Sequence, residues 1–195
     1  ETLCSAPARA SHLHSAIIFA MILVTGATGF IGRALVRHLS ETGQEVRVLL
    51  RPSPKSPQLP KGVPVEVSVV SLNDERGVRA ALRGVQQVFH LASASGQGRH
   101  GNLFNTDIEG TRILAHAAQD AGVQRLIFLS HVGANRMSAF PVHKAKGIAE
   151  EHIRKSGVPH TIIRSTIVFG PEDRFTNSIA TALRYVPFLF PIPGD

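Results

Sequence analysis

Short apolar runs alternate with amphipathic stretches along most of this chain. The apolar runs predict strands that begin at residue 21 and then span residues 45–50, 65–70, 87–91, 125–129 and 160–163. The amphipathic stretches predict helices over residues 33–39, 74–82, 105–121 and 141–156, and a further helix from Phe175. Asn73 is the expected N-cap of the second helix. Alternating strands and helices predict right-handed crossovers, and therefore an α/β fold with a doubly wound parallel sheet.

Three glycines follow the first predicted strand and open the first predicted helix. Such a turn uses glycine for a tight bend, for close approach to a pyrophosphate and for packing of the helix on the strand. The positive end of the helix then attracts the phosphate charge. This context favours a dinucleotide-binding (Rossmann) turn, and a glycine-rich turn without a ligand is the alternative. The residues assigned to the turn are Gly26, Thr28, Gly29, Phe30, Ile31 and Gly32.

The end of the second predicted strand indicates which dinucleotide is bound. NAD-binding chains usually place Asp or Glu there, on the ribose 2′-hydroxyl. This chain has Arg51 instead, and arginine would bind a 2′-phosphate through charge-assisted hydrogen bonds. NADP(H) is therefore favoured over NAD(H), with Lys55 in the same loop as a second cation. The alternative is a solvated arginine at a strand end.

Composition and charge limit the number of domains, the kinds of site and the classes of partner that the chain can have. With 195 residues, of which 43% are hydrophobic, the chain can bury one core and has little room for a second full domain. Its one cysteine, Cys4, excludes an internal disulfide and a cysteine metal cluster, and we predict no metal site. The basic residues that give the net charge of +7 are scattered along the chain and form no block of like charges. This argues against nucleic acid as a partner and fits a polyanionic dinucleotide. No apolar run reaches the roughly 18 residues that a bilayer span requires.

The two ends of the chain do not fit the alternating pattern. Residues 1–20 lack a period, and their composition superficially suggests a transit peptide. Because they carry one arginine and do not start with methionine, we interpret them as a non-core remnant or over-extended start. Residues 186–195 form an apolar, proline-rich run with no element to cover it. We therefore expect a dinucleotide-binding domain over residues 21–195 that is truncated at its C-terminal end.

Four motifs occur in the order expected of extended and atypical short-chain dehydrogenases/reductases, including epimerase/dehydratase-like proteins. They are the glycine turn and residues 89–92, 105–111 and 167–171. Residues 157–164 and 188–195 further resemble the subgroup of the nucleotide-binding accessory subunit of respiratory complex I, and NmrA-like proteins are near relatives. The resemblance implies a small C-terminal substrate lobe, mostly missing here. It also implies cofactor contacts from Ser71, Leu72, Leu91, Ala92, Ser93, Ser130, Lys144, Ser165, Thr166 and Ile167.

The chain departs from the family's sequence pattern at the catalytic motif. Active members use a tyrosine four residues before a lysine, and the lysine lowers the pKa of the phenol that exchanges a proton with substrate. Lys144 occupies the lysine position, but Phe140 occupies the tyrosine position. The single tyrosine, Tyr185, lies far downstream. Relatives also place Gly-Asp-Leu after the third strand, where this chain has Ser71 in place of the acid.

Two further residues are candidates for proton transfer. Ser130 and His131 follow the fifth predicted strand, where their side chains are expected to face the nicotinamide. Because histidine as a residue type can exchange a proton at physiological pH, His131 is the best surrogate acid, and a merely exposed loop histidine is the alternative. His143 precedes Lys144 and is expected on another face of the helix.

Three functions remain open on this basis. In the first, the bound cofactor has a structural or sensing role, as the resemblance to the complex I subunit suggests. Alternatively, the chain is an NADP-dependent oxidoreductase or sugar-nucleotide epimerase that uses Lys144 without tyrosine, as relatives of the isoflavone-reductase type do. The third is a redox-sensing NmrA-like regulator that acts through a protein partner. The resemblance implies a cytoplasmic protein, with a protein partner or membrane complex placing it peripherally at a membrane.

Overall fold

The computed structural model describes residues 20–54, 59–95, 101–173 and 175–185. Lys55 and residues 186–195 lie outside this range, as does the predicted N-terminal extension apart from Ala20.

Six parallel strands form one sheet in the described part of the chain. They are β1 (Met21–Thr25), β2 (Val46–Leu50), β3 (Glu66–Val69), β4 (Val85–His90), β5 (Arg125–His131) and β6 (His160–Ser165). Their order across the sheet is β3-β2-β1-β4-β5-β6. The direction of winding reverses between β1 and β4, and doubly wound folds bind ligands in the crevice at this point. The predicted doubly wound parallel sheet is confirmed.

The helices of the described residues also follow the predicted order. They are α1 (Phe30–Glu41), α2 (Glu75–Ala81), α3 (Gly110–Asp120), α4 (Pro141–Ser156) and α5 (Phe175–Tyr185). None of them is long and apolar enough to span a bilayer.

Two local predictions need correction. The helix predicted over residues 105–121 begins instead with a π-helical turn, Phe104–Glu109, which leads into α3. The N-cap of α2 is Asp74 rather than Asn73, because the Asp74 carboxylate accepts a hydrogen bond from the Gly77 amide at 3.1 Å.

Apolar side chains form one cluster on each face of the sheet. Along β1, Leu23 belongs to the cluster that packs against α2, α3 and α4. Its neighbours Ile22 and Val24 belong to the other cluster, which packs against α1. This alternation is the period of two that a strand covered on both faces requires. Helix α5, in contrast, has no buried residue.

His90 at the end of β4 connects three elements of the fold. Its Nδ1 bonds Thr25 Oγ1 at 2.7 Å and its Nε2 bonds Thr111 Oγ1 at 2.8 Å. The ring also stacks on Phe128, with 5.4 Å between ring centroids. Burial, and secondly the positive charge of Lys146, lowers the pKa of His90 to about 3. The imidazole is therefore neutral near pH 7, with one nitrogen donating and the other accepting.

We expect His90 to make the fold sensitive to mild acid. An unfolded histidine, with a pKa of about 6.5, binds a proton below that pH, whereas folded His90 does not. The free energy of unfolding should therefore fall as the pH falls below about 6.5, by up to about 1.4 kcal/mol per pH unit. Urea unfolding of the native chain and of His90→Gln between about pH 7 and 4.5 measures this slope. Equal slopes in the two proteins would contradict the prediction.

Candidate functional site

The glycine turn between β1 and α1 lies at the crevice between β1 and β4. Gly26 has a φ of +73°, and a Cβ there would lie 2.7 Å from the backbone nitrogen of Ala92. A Cβ on Gly32 would overlap the carbonyl oxygen of Gly26. At Gly29 a Cβ would make one tight contact, at 3.2 Å from that same oxygen. Glycine is thus a packing requirement at the first and third positions, while the exposed Gly29 leaves its backbone open to a ligand.

Helix α1 begins immediately after this open glycine. Gly29 is its N-cap, and the first turn contains no acidic residue. The first N–H groups of a helix have no intrahelical acceptor and carry a positive potential. These N–H groups, which follow the exposed residues Thr28 and Gly29, could hold the pyrophosphate of a dinucleotide, and we call them the anion cradle.

The segment after β6 is tied to the same end of α1. The Arg33 guanidinium donates to the Thr28 carbonyl at 2.9 Å and pairs with Glu172 at 3.0 Å. Arg37 also pairs with Glu172, at 3.4 Å. Three predicted cofactor residues lie at the start of this segment, where Ser165 ends β6 and is half-buried, and Thr166 and Ile167 are exposed.

The residues predicted for the adenosine end lie at neighbouring strand ends. Leu50 of β2 is in register with Val69 of β3, so Arg51 and Ser71 follow their strands at one edge of the sheet. Arg51 is exposed, and Ser71 and Leu72 are half-buried. The backbone amide of Asn73 donates to Ser71 Oγ at 3.3 Å.

The loop after β4 forms the opposite wall of the crevice. The Leu91 amide donates to the Thr25 carbonyl at 3.2 Å, and the Ala92 amide donates to Thr25 Oγ1 at 3.3 Å. Ser93 Oγ donates to Asp107 at 2.7 Å. Leu91, Ala92 and Ser93 are half-buried, and the backbone of Leu91 and Ala92 lies against Gly26.

A buried ion pair lies behind this loop. Lys146 Nζ is 3.2 Å from Asp107 Oδ1, and the two side chains are 8% and 1% exposed. The ammonium also donates to the Leu129 carbonyl at 3.4 Å and lies 4.8 Å from the centroid of the Phe128 ring. Burial lowers the pKa of Lys146, and the Asp107 carboxylate opposes this shift. Sequence reasoning missed both residues, although the helical period places Lys146 on the apolar face that includes Ala149 and Ile153.

Ser130 is directed into a second buried polar network. Its hydroxyl donates to Glu150 at 2.6 Å, and Glu150 also accepts from Arg164 at 2.7 Å and from Arg154 at 2.8 Å. Burial raises the pKa of Glu150, but the hydrogen bonds from Arg164, Ser130 and Arg154 outweigh it and lower the pKa to about 2. The Ser130 side chain is buried, so its hydroxyl is already engaged within the protein.

The remaining catalytic candidates gather at the carboxyl end of β5. The ring centroids of His131 and His143 are 4.8 Å apart, so His143 faces His131. His143 in turn contacts Phe140 edge-on, at 5.6 Å between ring centroids. His131 Nδ1 donates to the Val132 carbonyl at 2.6 Å. Lys144, the next residue of α4, is exposed.

Comparison with known proteins agrees with this geometry. A family model described as NAD(P)H-binding matches residues 26–180. Over 172 residues, the chain is 33% identical to "Sterol demethylase protein B" of Methylococcus capsulatus, covering 77% of this chain and 52% of that protein. It is 29% identical over 161 residues to the rat (Rattus norvegicus) protein "NADH dehydrogenase (ubiquinone) 1 alpha subcomplex subunit 9, mitochondrial", covering 80% of this chain and 43% of that protein.

A solved structure is similar over the same region. The match is to a short-chain dehydrogenase/reductase superfamily protein from Agrobacterium tumefaciens with bound NAD. The TM-score is 0.60 at 30% identity, and the alignment covers 74% of this chain and 48% of that chain. The chain thus spans about half the length of the proteins described above.

We expect Gly29→Val to abolish binding of NADPH and to leave the fold largely intact. The branched side chain would occupy the open approach to the cradle, while its Cβ meets only the Gly26 carbonyl oxygen. Circular dichroism and the NADPH-dependent shift in Tm measure the two effects, because a ligand stabilises only the state that binds it. Gly32→Ala is the contrasting variant and should lower the Tm of the protein without ligand. A full NADPH shift in Gly29→Val would show that the turn is only structural.

Proposed function

The chain belongs to the NAD(P)H-binding family, among the atypical short-chain dehydrogenases/reductases, and on that premise we propose that it holds NADP(H) as a structural or sensing ligand. The observation that carries this proposal is that neither position expected to supply a hydroxyl proton donor presents one to the crevice. Phe140, 69% exposed, stands at the tyrosine position. The Ser130 hydroxyl is bound to buried Glu150. General acid–base help is typically worth 10² to 10⁴ in rate, so its loss disfavours turnover.

The preference for NADP(H) over NAD(H) rests on the edge formed by β2 and β3. Arg51 follows β2 at the position where an NAD-binding chain places a carboxylate. The Arg51 side chain is exposed at this edge of the sheet. A guanidinium binds a phosphate through paired, charge-assisted hydrogen bonds, which supports selection of the 2′-phosphate.

An oxidoreductase is the second candidate function, and the neighbouring imidazoles of His131 and His143 favour it. A bound NADPH would supply the hydride, and the chain would have to supply a proton. His131 holds its Nδ1 hydrogen on the Val132 carbonyl, which leaves Nε2 as the nitrogen for proton exchange. Exposed Lys144 on the adjoining helix would bind the ribose, as in relatives that use lysine without tyrosine.

A protein partner is part of the sensing proposal. Several large apolar side chains are exposed after β6 and on α5, among them Ile167, Phe169, Phe175 and Leu183. Large exposed apolar patches mark interaction sites, and these side chains are candidates for such a patch. The rat relative is by name a subunit of a larger complex. We therefore propose a regulatory or assembly role through protein contacts, with peripheral association to a membrane complex.

We expect the native chain to bind NADPH more tightly than NADH. A hydrogen bond to a charged group contributes about 1.5–3 kcal/mol, or roughly ten- to a hundredfold in affinity. Cofactor fluorescence titrations of the native chain and of Arg51→Ala measure the difference, and the variant should lose the preference. Arg83→Ala, which removes an exposed arginine away from this edge, is the control. Equal native affinities for the two cofactors would overturn the NADP(H) proposal.

We expect the full-length protein to oxidise NADPH slowly or not at all with aldehydes, ketones, quinones and sugar nucleotides. Phe140→Tyr would restore a phenol one helical turn before Lys144 and should raise any turnover, because a proton donor returns. NADPH absorbance followed over time measures the rate. Rapid native turnover that is unchanged by Phe140→Tyr and lost in Lys144→Ala would overturn the non-catalytic proposal. The chemistry would then centre on lysine.

A further inference from the structure

The Arg33 side chain links the glycine turn to the segment after β6. Its Nη1 donates to the Thr28 carbonyl at 2.9 Å, beside the anion cradle. The edge of the guanidinium formed by Nε and Nη2 holds one carboxylate oxygen of Glu172, at 3.1 and 3.0 Å. With such a two-donor edge, arginine binds a phosphate. A carboxylate of this chain therefore occupies the edge of Arg33 that a phosphate would otherwise bind.

Residues 166–173, which include Glu172, lead from β6 toward α5, and we call them the strap. The carboxylate of Asp173, the next residue after Glu172, bonds in both directions along the chain. It accepts the Gly170 amide at 3.0 Å and the Thr176 amide at 2.7 Å. These bonds join the strap to the first turn of α5, so a displacement of Glu172 is passed on to that helix.

The Arg33–Glu172 pair is accessible enough to exchange partners. Its two side chains are 23% and 45% exposed. Arg37, one turn further along α1, pairs with the other carboxylate oxygen at 3.4 Å. Hydrogen bonds from Arg33 and Arg37 hold the pKa of Glu172 below its usual range, so the carboxylate is charged near pH 7. Because solvent screens exposed ion pairs, they hold their partners weakly, and a pyrophosphate in the adjoining cradle can replace the carboxylate.

We propose that Arg33 is an exchange switch, whose two-donor edge binds the pyrophosphate of the dinucleotide in place of Glu172 and so releases the strap from α1. This inference rests on the proposed binding of NADP(H) and gives the sensing role a physical route. Ile167 and Phe169, two of the exposed apolar residues assigned to partner contacts, lie on the strap. Release of the strap changes how they are presented, so a partner would distinguish the cofactor-bound protein from the free one.

A double-mutant cycle tests the exchange on the full chain. The Kd values of NADPH and of NADH are measured for the native protein, Glu172→Gln, Arg33→Met and the double variant. Glu172→Gln removes the competing charge and should lower both Kd values by about three- to fivefold, the scale of one exposed ion pair. Arg33→Met removes a charge-assisted bond to phosphate and should raise both at least about tenfold. The double variant should match Arg33→Met, because Glu172 acts through Arg33.

Arg37→Met is the matched control for the loss of an arginine from α1. Arg37 also pairs with Glu172 but lies one turn further from the glycine turn, so both Kd values should stay within about twofold of the native values. If Arg33→Met does not fold, Arg33→Lys replaces it, because lysine keeps the charge and lacks the two-donor edge.

Two outcomes of the cycle would overturn the exchange. Unchanged or raised Kd values in Glu172→Gln would show that the ion pair is a fixed contact that the cofactor leaves in place. Tighter binding that persists when Glu172→Gln is combined with Arg33→Met would show that Glu172 acts through its long-range field instead.

A fluorescent label measures the release of the strap. Val168→Cys carries an environment-sensitive dye in a Cys4→Ser background, and Glu41→Cys on the last turn of α1 is the control position. NADPH should shift the emission of the strap label and leave that of the control unchanged. In Glu172→Gln without ligand, the strap label should already emit as it does in the NADPH-bound native protein. A strap label that does not respond to NADPH would overturn the release.

These measurements separate the switch from the proposed function. Both cofactors carry a pyrophosphate, so the exchange alters their Kd values equally, whereas the preference for NADP(H) is their ratio and depends on Arg51. Absence of binding of either cofactor would overturn the proposed function. Inorganic pyrophosphate then tests the switch alone, since it should shift the strap label in the native chain and not in Arg33→Met. No shift with pyrophosphate would overturn the exchange as well.

Discussion

The close approach of three backbone segments at the centre of the sheet is the constraint on which the other features of this domain depend. The turn after β1 packs its Gly26 α-carbon against the loop after β4. Gly32 brings the first turn of α1 onto the carbonyl of Gly26. One residue back along each strand, Thr25 and His90 are joined by a buried hydrogen bond. Because these segments come within contact distance, helix α1 begins beside the crevice, and the N–H groups of its first turn lie at that end of the helix.

Buried charge is the second organising feature, and it is concentrated on one helix. Lys146 and Glu150, one turn apart on α4, each lie at the centre of a polar network and are almost fully buried. One network supports the loop after β4, and the other engages the hydroxyl at the end of β5. Such groups contribute little net stability compared with apolar side chains, because desolvation offsets their attraction. Their effect here is to fix particular loops and side chains at the carboxyl edge of the sheet.

The sequence predicted the large elements because their patterns are local. A period of two in the strands and of three to four in the helices located most elements, and Gly157 with its φ of +81° ended α4 where predicted. The N-cap of α2 was missed by one position because Asn73 and Asp74 are both good caps, and only the backbone geometry selects Asp74. The π-helical turn was missed because it depends on contacts between Asp107 and a loop distant in sequence.

The candidate site was less predictable for the same reason. The glycine turn and the strand ends follow from topology, so their residues could be named in advance. The orientation of a side chain depends on partners from other elements. Ser130 turns to Glu150, and His143 turns to His131, through contacts between β5 and α4 that no local pattern encodes. Lys146 was overlooked because the family motif draws attention to Lys144, two residues earlier.

Helix α5 packs less closely against the domain than the other helices do. It buries no side chain, and it is held at its start by Asp173, which accepts the Thr176 amide at 2.7 Å. Proteins open in cooperative units, and a unit with few buried contacts opens at a small fraction of the global free energy. Because it has no buried side chain, we expect helix α5 to open at a lower free energy than the sheet. The Arg33–Glu172 ion pair joins the segment that precedes α5 to the first turn of α1, so opening of this segment would also free the Arg33 side chain beside the glycine turn.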